Sequence, residues 1–326
     1  MTDETTRFAT YVANLGRGPG RSRALTRDEA QDAMTLLLAG AVDPIQIGAF
    51  LMLLRYRGED PEEITGLVLG AMPATRMAPA RADLDWPSYG AGRTRTAPWF
   101  LLAALALADS GVRVLMHGTN EFTGGLTVSE ALLRLGLTPA TGAGDASVRL
   151  DRDCFAYLPV AALSPGLAHL LGLRRLLGLR SPLNTVARLL DPAGAPAGVD
   201  GVFHPPYIET HLAVAERLAR PRLLVLKGGG GEVERSPRKP VAAHLWTAQA
   251  GREILSLPAF WNADVAADEP DIAALWRGDI RHAETEARIA ATIELATLAL
   301  GRQSDPWAIW NGRTRQPGRL PQVESP

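Results

Sequence analysis

The sequence predicts an α/β protein in two parts: a small N-terminal helical domain over residues 1–75, and a larger α/β domain over 80–326 with a mainly parallel central sheet. Three observations predict it. The first 75 residues carry repeated helix-start signals, each followed by apolar residues at three- and four-residue spacing. From Asp83 onward, short apolar strands alternate with helices, the pattern of a parallel sheet covered by helices. Pro73 to Arg81, rich in Pro, Ala and Arg, reads as the linker between the two parts.

In order, Thr5 to Leu15 forms a short helix with Phe8, Tyr11, Val12 and Leu15 on one face, and Gly16 to Arg23 is a flexible linker. Thr26 with Glu29 makes a capping box that satisfies free amides at a helix start. That helix runs through Ala30, Ala33, Met34, Leu37 and Leu38 and stops at Gly40. Asp43-Pro44 and Asp60-Pro61 open the next two, with Asp as cap and Pro in the first turn. In the second part, Trp99 to Ala108 is an almost wholly apolar helix ended by Gly111. Candidate strands are Val112–Met116, Cys154–Leu158, Val199–Phe203 and Arg222–Leu226, with one more before Trp86. Pro165 to Leu190 reads as mostly helical with a turn at Arg180 to Pro182. Further helices begin at Val128 and Pro205, and Arg281 to Leu300 is a periodic terminal helix. The tail after Gly301 is expected to be partly disordered. In such folds ligands sit where strands end and helices begin, which singles out the loops Asp85–Thr96 and His117–Thr127.

At 326 residues, 46% hydrophobic and a net charge of −1, the chain is globular with no global basic bias, so any nucleic-acid contact must come from a local patch. Lys227 and Lys239 are the only lysines. Genomic composition explains that bias, but Arg also offers a fork suited to phosphate. Cys154 stands alone, which excludes an intrachain disulfide and cysteine-based zinc sites. Met1 to Arg23 does not read as a signal peptide and no window has the length of a membrane span, so a cytoplasmic protein without a membrane partner is expected.

Lys227 to Lys239, KGGGGEVERSPRK, follows a strand. Lys227, Arg235, Arg238 and Lys239 could contact backbone phosphates, and a solvated loop is the ordinary alternative. Arg174, Arg175, Arg180 and Arg188 extend a basic groove or form a plain charged helix face. Arg93 and Arg95 either clamp an anion or stabilise their loop. Trp86 and Tyr89 offer stacking surfaces to bases, or belong to the core. His117 is a phosphate contact, a proton donor or a structural hydrogen-bonder. Glu232 and Glu234, at i and i+2, are weak metal candidates. No residues are assigned a catalytic role and no cofactor is expected.

Leu25–Met72, Val112–Leu135 with its His-Gly-Thr-Asn, and Gly178–Phe203 with Gly-Leu-Arg-Ser-Pro-Leu-Asn together resemble the anthranilate and thymidine phosphorylase group of phosphoribosyltransferases, glycosyltransferase family 3. The resemblance implies a nucleoside phosphorylase/phosphoribosyltransferase-like fold, with helices from about 165–190 joining the N-terminal domain. It places Tyr89, Gly90, Gly92, His117, Gly118, Asn120 and Arg180 in a vestigial ligand pocket. The diphosphate loop Gly-Thr-Gly-Gly-Asp reads Tyr89-Gly90-Ala91-Gly92-Arg93-Thr94 here, Pro98-Trp99 follows where phosphate should nestle, Met116 replaces a Lys, and the Asp-Glu pair that holds magnesium becomes Glu232-Val233-Glu234. Asp85–Tyr89, Pro98–Leu102, Met116–Gly118 and Lys227–Glu234 resemble the YbiB-like branch of the anthranilate phosphoribosyltransferase fold. That likeness implies a homodimer formed through the N-terminal helical domain, binding DNA or RNA without strong sequence preference and lacking the parent transferase activity. An active phosphoribosyltransferase using phosphoribosyl diphosphate and magnesium is the alternative, and a scaffold that only dimerises is a third reading.

Overall fold

The structure, a computed structural model, describes residues 3–18, 20–77, 81–90, 96–119, 124–261 and 269–314. It begins with α1 (Asp3–Gly16), α2 (Arg27–Leu38), α3 (Pro44–Arg57) and α4 (Pro61–Thr75). The helix starts follow from local chemistry. Thr26 and Glu29 form both halves of the capping box, and the carboxylates of Asp43 and Asp60 accept the first amides of α3 and α4. α2 and α4 pack at backbone distance because Gly66 and Gly70 carry no side chain. A Cβ on Gly66 would lie 2.2 Å from the Arg27 carbonyl oxygen, and one on Gly70 2.3 Å from that of Gln31.

The second part contains β1 (Leu84–Ser88), α5 (Trp99–Asp109), β2 (Val114–Gly118), α6 (Val128–Arg134), α7 (Ala143–Asp153), β3 (Phe155–Pro159), α8 (Val160–Leu163), α9 (Pro165–Gly172), α10 (Arg174–Leu177), α11 (Leu183–Arg188), β4 (Ala197–Val202), α12 (Pro206–Arg217), β5 (Arg222–Lys227), β6 (Val241–Thr247), β7 (Gly251–Leu257), α13 (Ile272–Arg277), α14 (Ala283–Ala299) and α15 (Pro306–Gly312). One sheet has the order β3-β2-β1-β4-β5-β6-β7, parallel from β3 to β5 and antiparallel at β6 and β7. Alternate residues of a strand point to opposite faces. Accordingly Leu224 and Leu226 of β5 join Trp86, Met116, α5 and α14 in one core. Leu223 and Val225 face a second core built from α1–α4, α9, α11 and α12. α9 packs on α2, and α11 and α12 pack on α4, so helices from the second part complete the N-terminal bundle.

Three local features of the structure were not read from the sequence. Residues 84–88 form a central strand and not the start of a loop. The β1–β4 pairing ends at Asp85 and Gly198, so nothing on that side asks Pro87 for the amide hydrogen it lacks. The antiparallel β6–β7 hairpin extends the sheet in a region whose apolar alternation is diluted by Ala242, His244 and Glu253. Beyond Gly301 the chain is helical again in α15, which buries Trp310 completely.

Substituting Gly66→Val should push α2 and α4 apart. We expect a loss of about 2 kcal/mol or more, in line with overpacked cores, read by chemical denaturation.

Candidate functional site

Strand order reverses between β1 and β4, and the carboxyl ends of the strands there face the helical bundle. Ligands in open α/β sheets bind at such a reversal.

Beneath it lies a buried ionic network. Asp85 of β1 accepts from Arg220 at 3.1 Å and lies 3.2 Å from His117 Nε2 of β2. Arg220 also reaches Asp191 at 3.4 Å. His117 Nδ1 is 2.9 Å from the Tyr89 hydroxyl, and all of these side chains are buried. A second set joins Asp200 to His211 at 2.6 Å and to Arg188 at 3.1 Å. Burial alone would raise Asp85, but His117 and Arg220 outweigh it and hold the carboxyl below its ordinary value. Burial pushes Asp191 up to about 6, against the pull of Arg220.

Above the network, carboxylates occupy the backbone amides that begin the first β–α unit. Gly90 donates its N–H to Glu232, which stands just past the turn that follows β5. The fit is tight: a Cβ on Gly90 would lie 2.2 Å from the Glu232 carboxylate. α5 starts at Pro98, which offers no side-chain cap. Its Phe100 amide is met from elsewhere, donating to Glu234 at 3.3 Å, and the amide of Ala97, just before the helix, donates to Glu269 at 3.1 Å. Glu269 also accepts from the Trp99 indole at 3.3 Å, and Glu234 from Arg288 at 3.2 Å. A negative side chain suits the positive end of α5. Glu232 and Glu234 thus each accept a backbone amide of this corner.

Beside this plug, between α3, α11, α12 and the end of β4, lies a cavity of about 290 Å³. Arg55, Arg180 and Arg188 line it, with Ser181, Asn184 and Thr185 among its polar groups. Burial first, then the positive charges of Arg174, Arg188 and Arg55, pull the Arg180 guanidinium below its ordinary value. Arg55 donates to the Tyr207 hydroxyl at 2.9 Å, and Tyr207 donates to Glu59 at 3.1 Å. Burial raises the Glu59 carboxyl, so the acid facing these cations holds its proton more tightly than usual.

The residues singled out from the sequence are only partly brought together. Arg180 lines the cavity, Arg174 and Arg175 lie on the short α10 nearby, and Lys227 is exposed at the end of β5, opposite Val202 of the cavity wall. Lys239 is exposed. Arg235 is not a surface residue: it is buried against Glu294 and the Pro258 carbonyl, with its guanidinium 5.6 Å from the Phe260 ring. Arg238 is paired with Glu284 at 2.9 Å. Trp86 and Tyr89 are core residues and present no stacking face, and His117 is a buried structural hydrogen-bonder. Gly118 is needed where it stands, since a Cβ there would lie 1.8 Å from the Ser88 oxygen. Arg93, Arg95, Gly92 and Asn120 lie outside the described residues. Arg55, Glu269 and Phe203 belong to this region without having been singled out, because each reaches it from a different part of the chain.

A family profile described as the glycosyl transferase family helical bundle domain matches residues 10–72. Over 232 residues the chain is 33% identical to anthranilate phosphoribosyltransferase 2 of Streptomyces coelicolor, covering 71% of this chain and 69% of that one. The chain belongs to the anthranilate phosphoribosyltransferase family. It is also 28% identical over 238 residues to YbiB of Escherichia coli K12, an uncharacterised protein, with 71% and 74% covered. Among solved members of the family, the Thermus thermophilus enzyme superposes with a TM-score of 0.73 at 23% identity, over 95% of this chain and 94% of that one. The Saccharomyces cerevisiae enzyme in complex with phosphoribosyl diphosphate and magnesium gives 0.75 at 16% identity, over 96% and 94%. These two likenesses establish the shared fold.

Two outcomes follow from the buried network. Arg220→Met would strand Asp85 and Asp191 without their cation and should cost about 3–5 kcal/mol in denaturant titrations. Asp191 has a folded pKa of about 6 against an ordinary 3.8, so its stabilising contribution is complete below the lower value and is lost as pH rises through the upper one. The stability of the wild type relative to Asp191→Asn should therefore fall across that window.

Proposed function

We propose that the chain is a homodimeric, sequence-nonspecific nucleic-acid-binding protein on a degenerate phosphoribosyltransferase scaffold. The observation that carries this reading is the arginine cluster. Arg55, Arg180 and Arg188 line one cavity with Arg174 close by; burial first, and then these neighbouring charges, lower Arg180, Arg188 is partly balanced by Asp200, and burial raises Glu59, the acid facing them. Like charges held together in this way favour an anion between them. Lys227 at the end of β5 and Arg175 on α10 extend the same side, and Lys239, Arg93 and Arg95 are further candidates. Phosphate contacts of this kind are blind to sequence. Arg235 is buried and lies outside this surface.

The transferase reading draws on the relatives' names. Against it stands the plug: the carboxyl groups of Glu232, Glu234 and Glu269 accept from the amides of Gly90, Phe100 and Ala97, so these donors are engaged where a diphosphate would need them. For the dimer, the supporting feature is the outer face of α3. Ile45 is 83% exposed and Tyr56 90%, with Ala49 and Met52 between them on the same stripe. A second copy covering this stripe would bury it and place two arginine clusters on one particle, raising avidity.

Fluorescence anisotropy with labelled oligonucleotides at several salt concentrations tests the main reading. Tight binding should weaken steeply with salt, and a variant combining Arg174→Ala, Arg175→Ala and Lys227→Ala should lower the salt slope by about 2–3. No binding at low salt would sink the proposal, and heat on titrating phosphoribosyl diphosphate with magnesium would favour the transferase. Ile45→Glu with Tyr56→Glu should convert the dimer to monomer in light scattering after gel filtration.

A further inference from the structure

We infer that the arginine-lined cavity takes an unpaired nucleotide, its phosphate on the guanidinium groups and its base on the ring of Phe203, so that this surface favours single strands over duplexes. The inference rests on the nucleic-acid reading above and adds to it a partner class and a residue.

Phe203 is the first residue beyond β4 and lies on the cavity wall. It is 48% exposed, in a position where the apolar residues before it on β4 are buried. Its neighbour His204 meets it edge-on, with ring centroids 4.8 Å apart and planes at 88°, and among the described residues no ring stacks parallel on it. A half-exposed aromatic ring beside a cationic cavity is the arrangement by which single strands are held, with bases on the ring and phosphates on the charges. Size points the same way. About 290 Å³ suits one nucleotide-sized group and not a duplex. Within a duplex each base is already stacked and paired, so reaching Phe203 would first require unstacking. Arg180 and Arg55 provide charge, and Ser181 and Asn184 can donate or accept hydrogen bonds without demanding one particular base.

The test uses the full chain with a labelled oligo(dT) of about 16 nucleotides and a duplex of the same length, by anisotropy. Phe203→Ala, a change at an exposed position, should weaken oligo(dT) binding about tenfold and leave the duplex within about twofold. Phe203→Trp should retain the affinity, and its added emission should be quenched by oligo(dT) but not by duplex. An equal loss on both ligands, or no loss on oligo(dT), overturns the inference. Salt-sensitive binding that ignores Phe203→Ala sinks the stacking role alone, whereas a wild type that binds neither strand form at low salt sinks the nucleic-acid reading beneath it.

Discussion

Arg220 is the point at which the two halves of the sheet are held together. It follows α12, precedes β5, and reaches Asp85 on β1 and Asp191 before β4, while His117 on β2 meets the same Asp85. Every partner is buried, so the charges cannot be shed to water and the strands carrying them must stay in register. Gly198 of β4 makes room for it, because a Cβ there would lie 2.8 Å from the guanidinium. The strand ends at the point of reversal are thus set from below by electrostatics and from the sides by the two apolar cores. The cavity and the plug inherit their geometry from that arrangement.

The plug shows how a helix start with no cap of its own can be completed by tertiary contacts. Pro98 gives α5 neither a side-chain acceptor nor an amide, and the helix is apolar along its length. Carboxylates from segments more than a hundred residues downstream supply what the local sequence does not.

Much of the fold was legible because its signals are local. Thr26 with Glu29, Asp43-Pro44 and Asp60-Pro61 mark helices through bonds made within a few residues. The apolar runs at 114–116, 155–158 and 222–226 mark strands through their own burial. What could not be read depends on distant partners. Nothing near Arg235 in sequence announces Glu294, so a buried Arg and a surface Arg look alike in the KGGGGEVERSPRK stretch. Glu269 meets Ala97 across 172 residues, and no spacing rule reaches that far. Phe203 directly follows a strand whose residues are all buried, so pattern alone would have put it inside.

The contact between Glu232 and Gly90 also bears on how such a chain can change over generations. The two positions constrain each other: any side chain at 90 collides with the carboxylate, and removing the carboxylate strands the buried amide that it accepts from. Neither residue can be exchanged alone without cost, so this corner changes only through coordinated substitutions at sites 142 residues apart. A lineage that carries this contact sits behind an epistatic barrier.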